Sequence, residues 1–106
     1  MPTTTLPGVS RSLIERKLSE VAGRLRALQD ELRVADEQLA FLAEQADDLR
    51  LRALVSETPL AEREHADAQK HVDAMTRHRA SVAAEMMTLE RTQDELLDRL
   101  IADQNR

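Results

Sequence analysis

The stretch Val55-Ser56-Glu57-Thr58-Pro59 decides the fold, because two apolar repeats of nearly equal length run away from it in opposite directions. Upstream, Ile14, Leu18, Val21, Leu25, Leu28, Leu32, Ala35, Leu39, Leu42, Ala46, Leu49 and Ala53 recur at alternating steps of four and three. That spacing keeps one stripe of a helix turned toward one neighbour, as in a coiled-coil seam. Downstream, the same steps pick out Ala61, His65, Ala68, Val72, Met75, Arg79, Val82, Met86, Leu89, Gln93, Leu96 and Leu100. If the chain folds back at Glu57, mates across the seam have residue numbers with a constant total. Ile14 with Leu100, Leu28 with Met86, Leu32 with Val82 and Leu42 with Val72 all share the total 114. The small residues match as well, Ala46 with Ala68 and Ala53 with Ala61, and the long Arg79 falls opposite Ala35 with Asp36 in reach. The spacing predicts an all-α chain built as a long antiparallel two-helix coiled-coil hairpin.

Local signals set the expected boundaries. Residues 1–11 hold Thr, Pro and Gly with only Leu6 and Val9 as larger aliphatic handles beyond Met1, which predicts a flexible N-terminal arm. The hairpin domain then spans 12–106, with a helix over 12–55, a turn at 55–59 and a helix over 59–103. Ser12-Leu13-Ile14-Glu15 fits a capping box for the first helix. Thr58 suits the cap of the second, Pro59 its first helical position and Glu62 its first turn, where a carboxylate meets the positive end of the helix dipole. At about 1.5 Å rise per residue, each helix would be roughly 60 Å long. Beside the seam, the fold-back places Arg50 across from Glu62 and Arg52 across from Glu64. Farther from the turn it brings Glu31 toward Glu85 and Lys17 toward Arg99, like-charge neighbours that point to a second chain.

Composition removes whole classes of function. In 106 residues, 33% are charged and 1% aromatic, the composition of long helices and not of a globular core. Phe41 is the single aromatic residue, so nothing offers a stack for a base, a sugar or a cofactor ring. The lack of cysteine removes disulfides, thiolate zinc sites and thiol catalysis together. A net charge of −5 argues against direct nucleic-acid binding, which needs a basic face. Met1-Pro2-Thr3-Thr4-Thr5 has neither the basic start nor the apolar stretch of a signal peptide, and no apolar run reaches spanning length, so the expectation is a cytoplasmic protein with no membrane contact. Thirteen of the fifteen basic residues are arginine and alanine is abundant, a bias that points to a bacterial source.

Carboxylate pairs such as Asp47-Asp48, and Glu62 with Glu64, sit on convex helix surfaces that offer no cleft for acid–base work. His65, His71 and His78 are the obvious metal candidates, but His71 and His78 lie two turns apart, about 10 Å, too far for one ion. Asp67 and His71 have ligand spacing, yet the remaining ligands would have to come from Gln45 or another chain. Neither a glycine-rich phosphate loop nor a nucleophile elbow is present. The reading is therefore of a protein that is not an enzyme, with no cofactor, no metal and no small-molecule substrate. His65, Arg79 and Gln93 interrupt the seam, and polar seam residues fix register at some cost in stability.

A second apolar set lies off the seam: Ala27, Val34 and Phe41 on the first helix, and Ala80, Ala83, Met87, Leu97 and Ile101 on the second. Two helices leave these uncovered, unless Leu6, Val9 and Leu13 fold over Leu97 and Ile101. A homodimer closing into a four-helix bundle, or a protein partner, covers them most simply. The expected partner-binding residues are Val34, Phe41, Ala83, Met87, Leu97 and Ile101, in a protein-protein interaction or adaptor module. The alternative places function at the tip, on Glu57, Leu60 and Glu62. There the layout resembles, in architecture only, the hairpin finger of the Gre and DksA-type factors that enter RNA polymerase. That resemblance implies a regulator acting through acidic tip residues, for which Glu57 and Glu62 would stand. The globular domain or zinc element that docks those factors has no counterpart here.

The seam assignment makes a direct prediction. Leu32→Asp puts a charge into the seam and abolishes cooperative unfolding, whereas Asp47→Ala shifts the midpoint by less than about 1 kcal/mol equivalent. Thermal melts followed by circular dichroism decide, and equal effects would show that the stripe is misplaced.

Overall fold

A computed structural model describes residues 7–105, with side chains from Arg11 onward. The described chain is all-helical: α1 runs over Pro7–Ser56 and α2 over Pro59–Gln104, folded as a hairpin. The seam reading holds position by position. All twelve upstream and all twelve downstream seam residues are buried or half-buried. Off the seam, exposure is the rule, and the half-buried exceptions are Ala22, Gly23, Ala83, Thr92 and Asp103. Leu25, Leu28, Ala35, Ala46, Val82 and Leu96 are the most deeply covered, Leu28 retaining 1% of its surface.

The first boundary differs from the sequence expectation. Part of the expected arm, residues 1–6, lies outside the described residues, and from Pro7 the chain is already helical. Proline favours a first helical position because its φ is preset near the helical value and its missing N–H is not needed there. Ser12 and Glu15 are consequently interior residues, not a capping box. Glu15 instead accepts a hydrogen bond from Arg11 Nε one turn back, at 3.3 Å. The remaining ends fall within a residue of expectation, α1 closing at Ser56 and α2 at Gln104.

The turn occupies only Glu57 and Thr58. Ser56 donates its hydroxyl to the Arg52 carbonyl, occupying one of the acceptors that a helix end leaves open. Glu57 takes the left-handed conformation, φ 50°, and its N–H reaches the Ala53 carbonyl at 3.0 Å. This is the single-bond αL cap, a site where glycine is usual because a Cβ costs about 1–2 kcal/mol. Thr58 then begins α2. Its hydroxyl accepts from Ala61 N–H at 3.2 Å and its carbonyl from Glu62 N–H at 3.1 Å, as the sequence predicts for a cap ahead of Pro59.

Contacts divide the chain into two compact units, one joining the α1 segment up to Gln29 with the α2 segment from Ala84, the other formed by Asp30–Ala83. In the first, Arg24 Nε donates to Glu85 Oε2 at 2.8 Å. In the second, His78 Nε2 lies 3.4 Å from Glu31 Oε1, and Arg79 pairs with Asp36. The first two pairs share the residue total 109, so the flanks on this side are offset from the seam total of 114. Two pairs expected near the turn are absent. Arg50 bonds Asp47 at 2.9 Å and Arg52 bonds Asp48 at 3.0 Å, each one turn back on its own helix, instead of reaching Glu62 and Glu64. Glu31 and Glu85 each have a cationic or protonatable neighbour within the hairpin, so they call for no second chain.

The turn predicts opposite effects at adjacent residues. Glu57→Gly removes the left-handed strain and raises stability by up to about 1 kcal/mol, the gain being trimmed by glycine's greater unfolded freedom. Thr58→Ala lowers it by about 1 kcal/mol through the lost cap. Urea midpoints at constant slope measure both, and a lower midpoint for Glu57→Gly would show that Glu57 makes compensating contacts.

Candidate interaction surfaces

A seam that uses one stripe of each helix leaves much apolar surface outside. Among the described residues ten large apolar side chains are exposed, Leu13, Val34, Phe41, Leu51, Leu54, Val55, Leu60, Met87, Leu97 and Ile101, against six hydrophobic residues that are buried, two of them alanines. Val34, Phe41, Met87, Leu97, Ile101 and Leu60 are thus as open as the sequence predicts, and Glu57 and Glu62 are exposed with them. Ala83 is not: it is half-buried, because its position flanks the seam directly. Leu13 is exposed, as are Leu97 and Ile101, while Leu6 and the Val9 side chain lie outside the description.

Sequence reasoning missed three members of the tip. Leu51, Leu54 and Val55 are exposed around the turn beside Leu60, and Val55 keeps 87% of its surface. They were overlooked because counting the seam discards residues out of phase with it. The run Leu51-Arg52-Ala53-Leu54-Val55 carries the signal in its density of large apolar residues at a helix end, where no further turn remains to cover them.

Along the second unit, a groove runs between the helices. One hollow of about 480 Å³ is lined by Glu37, Gln38, Phe41, Leu42 and Met75. A second of about 320 Å³ shares Leu42 and continues past Leu49 and Ala68, with Gln45, Glu64, Asp67 and His71 around it. The half-buried Leu42, Leu49, Ala68 and Met75 form the floor, and Phe41, 60% exposed, stands at the edge. Glu37 pairs with Arg33 at 3.5 Å, whereas neither Glu64 nor Asp67 joins an ion pair among the described residues. His71 and Asp67 do line one hollow, yet among the described residues no group of three or more His, Cys, Asp or Glu is disposed to hold a metal.

Within the seam, the three polar residues behave differently. His65 is half-buried beside Ala46, Val72 and the Asp47–Arg50 pair. Gln93 is half-buried near Leu25 and Gln29. Arg79 reaches past Ala35 to Asp36, as its length predicts, and keeps its guanidinium at the surface. The hydrogen bond to Asp36, and then its charge, hold the Arg79 pKa above its ordinary value.

Charge is distributed unevenly between the units. Residues 30–83 hold twelve Asp and Glu against seven Lys and Arg, which is the entire net charge of −5. Residues 1–29 and 84–106 hold eight of each and are neutral. Among the described residues no helix is long and apolar enough to cross a membrane. No protein-family model, curated protein or solved structure matches the chain.

Arg79 makes the register testable. Arg79→Leu removes an exposed ion pair, which contributes little, and adds apolar surface to a seam position opposite Ala35. The melting temperature is expected to rise. A clear fall would mean that the Asp36 pair, and not seam burial, governs this layer.

Proposed function

We propose that this protein is a non-enzymatic hairpin that works as an interaction or adaptor module, a coiled coil presenting its outer helical faces to other proteins. One observation carries the reading: more large apolar side chains lie exposed than buried. Contiguous exposed apolar surface is costly in water and marks contact sites. In this reading Met87, Leu97 and Ile101 on α2 belong to the self-pairing surface, joining two hairpins into a four-helix bundle. It lies in the electrically neutral unit, so a second copy meets no net repulsion there. Val34 and Phe41 are the face for a different protein.

A second reading, regulation through the tip, is favoured by a specific feature. Leu54, Val55 and Leu60 project around a glutamate held in a conformation that costs energy, and such strain gathers at functional positions.

Photo-crosslinking residues placed singly at Val34, Met87 and Val55 of the full chain in its native cells separate the two. Protein adducts at Val34 and Met87 are expected. Adducts confined to Val55 would transfer function to the tip, and none at any position would defeat the module reading. Light scattering checks the self-pairing part: wild type is expected at twice 12.0 kDa, and a Leu97→Glu, Ile101→Glu variant at 12.0 kDa. A wild type that stays at 12.0 kDa at high concentration removes the bundle.

A further inference from the structure

We infer that the groove of the second unit, floored by Leu42 and Met75 and shouldered by Phe41, is a docking site for one cationic amphipathic helix from another protein. This deepens the interaction-module reading and rests on it. On α1 the lining of the groove runs from Glu37 to Leu49, about 18 Å at helical rise, which matches about three turns of a guest helix, with Leu42 and Leu49 as its half-buried apolar floor. The walls are side chains of two helices whose backbone hydrogen bonds are internally satisfied, so no sheet edge is offered to an extended peptide. A helix brings its own backbone pairing and needs only apolar anchors at i, i+3, i+4 and i+7.

The rim selects the charge of the guest. Glu64 and Asp67 line the groove without an ion pair, and Glu37 shares only a 3.5 Å contact with Arg33. Lysines flanking the guest's apolar stripe would meet those carboxylates, while an acidic guest, a phosphate backbone or an anionic lipid surface would be repelled. A second copy is disfavoured on the same ground, because the unit bearing the groove holds the whole net charge of −5. Phe41 supplies the large rigid anchor that concentrates binding energy in such contacts.

The test uses the full chain and two synthetic peptides of about 14 residues, one of Leu and Lys with Leu on a helical stripe, the other with Glu in place of Lys. Fluorescence anisotropy at physiological salt gives affinity, and amide shifts of the labelled protein give location. The Lys peptide is expected to bind and to shift Gln38, Gln45 and His71. Phe41→Ser is expected to weaken it by about tenfold or more, a Glu64→Gln, Asp67→Asn variant by about tenfold, and the Glu peptide is expected to bind at least about tenfold less tightly. Each substituted residue is exposed, so circular dichroism of every variant should match wild type. Equal binding to Phe41→Ser would reduce the attraction to bulk charge and overturn the inference, as would shifts confined to other surfaces. A dimer whose mass falls on Phe41→Ser would assign the groove to a second copy and overturn it too. The Leu97→Glu, Ile101→Glu variant alters the other unit, so failure of the bundle leaves this result intact, and failure here leaves the bundle intact.

Discussion

Two helices can cover each other along one stripe only, and this geometric limit governs the molecule. Each seam residue meets the opposite helix on one side and water on the other, so eighteen of the twenty-four seam positions are half-buried instead of buried. The other six are buried, and Leu28 is the most completely covered of them, with 1% of its surface open. Ordering a residue costs about 1–2 kcal/mol in backbone entropy, and half-burial recovers only part of the apolar transfer energy. A hairpin of this kind is therefore left with little margin and with unspent apolar surface. The exposed side chains are not incidental decoration on a finished core; they are the surface that two helices have no means to cover.

The same limit explains what could be read without coordinates. A seam is a one-dimensional pattern, so the steps of four and three place every inward residue, and the constant total places its mate. The cap at Thr58 was equally legible, since its chemistry depends on three adjacent residues. Flanking contacts were not. Arg50 and Arg52 each have an acid on their own helix and another across the turn. Both take the acid one turn back on their own helix, a choice that the seam total does not contain. Nor could the sequence show that Glu57 would take the left-handed cap, because glutamate has no preference for that conformation and the closure is imposed by the helices on either side. The start of α1 was misread because a capping motif at Ser12 competes with a proline signal at Pro7, and the helix extends to the earlier one.

Polar residues in the seam separate two roles that composition alone merges. Arg79 projects through the seam and pairs with Asp36 at the surface, so its charge stays partnered while its stem still covers apolar surface. Gln93 and His65 end inside the interface, without a hydrogen-bond partner that the structure identifies. Among the described residues no buried side-chain nitrogen or oxygen lacks a partner, so the half-burial of Gln93 and His65 keeps them wet. Such layers weaken the pairing of the helices less than a dry polar group would, while making a shifted register, which would place them against leucines, more costly.

Charge decides which exposed surfaces can pair with themselves. A two-fold contact sets each patch against its own copy, so any net charge on the patch is doubled across the interface. The neutral unit, with eight charges of each sign, permits that arrangement around Met87, Leu97 and Ile101. The other unit, with twelve acids against seven bases, opposes it and favours a partner of opposite sign. Apolar surface alone would not distinguish the two, since Phe41 and Met87 are almost equally exposed. The asymmetry also bears on the seam itself. The interhelical pairs Arg24–Glu85 and Arg79–Asp36 each occupy one acid, but the acids left over collect on the unit that carries the turn and the groove. Mutual repulsion among them costs the isolated hairpin some stability, and a cationic helix lying in the groove would relieve it. Docking and stabilisation are then the same physical event, because the guest would cover the floor that two helices leave half-open and neutralise the carboxylates that they leave unpaired.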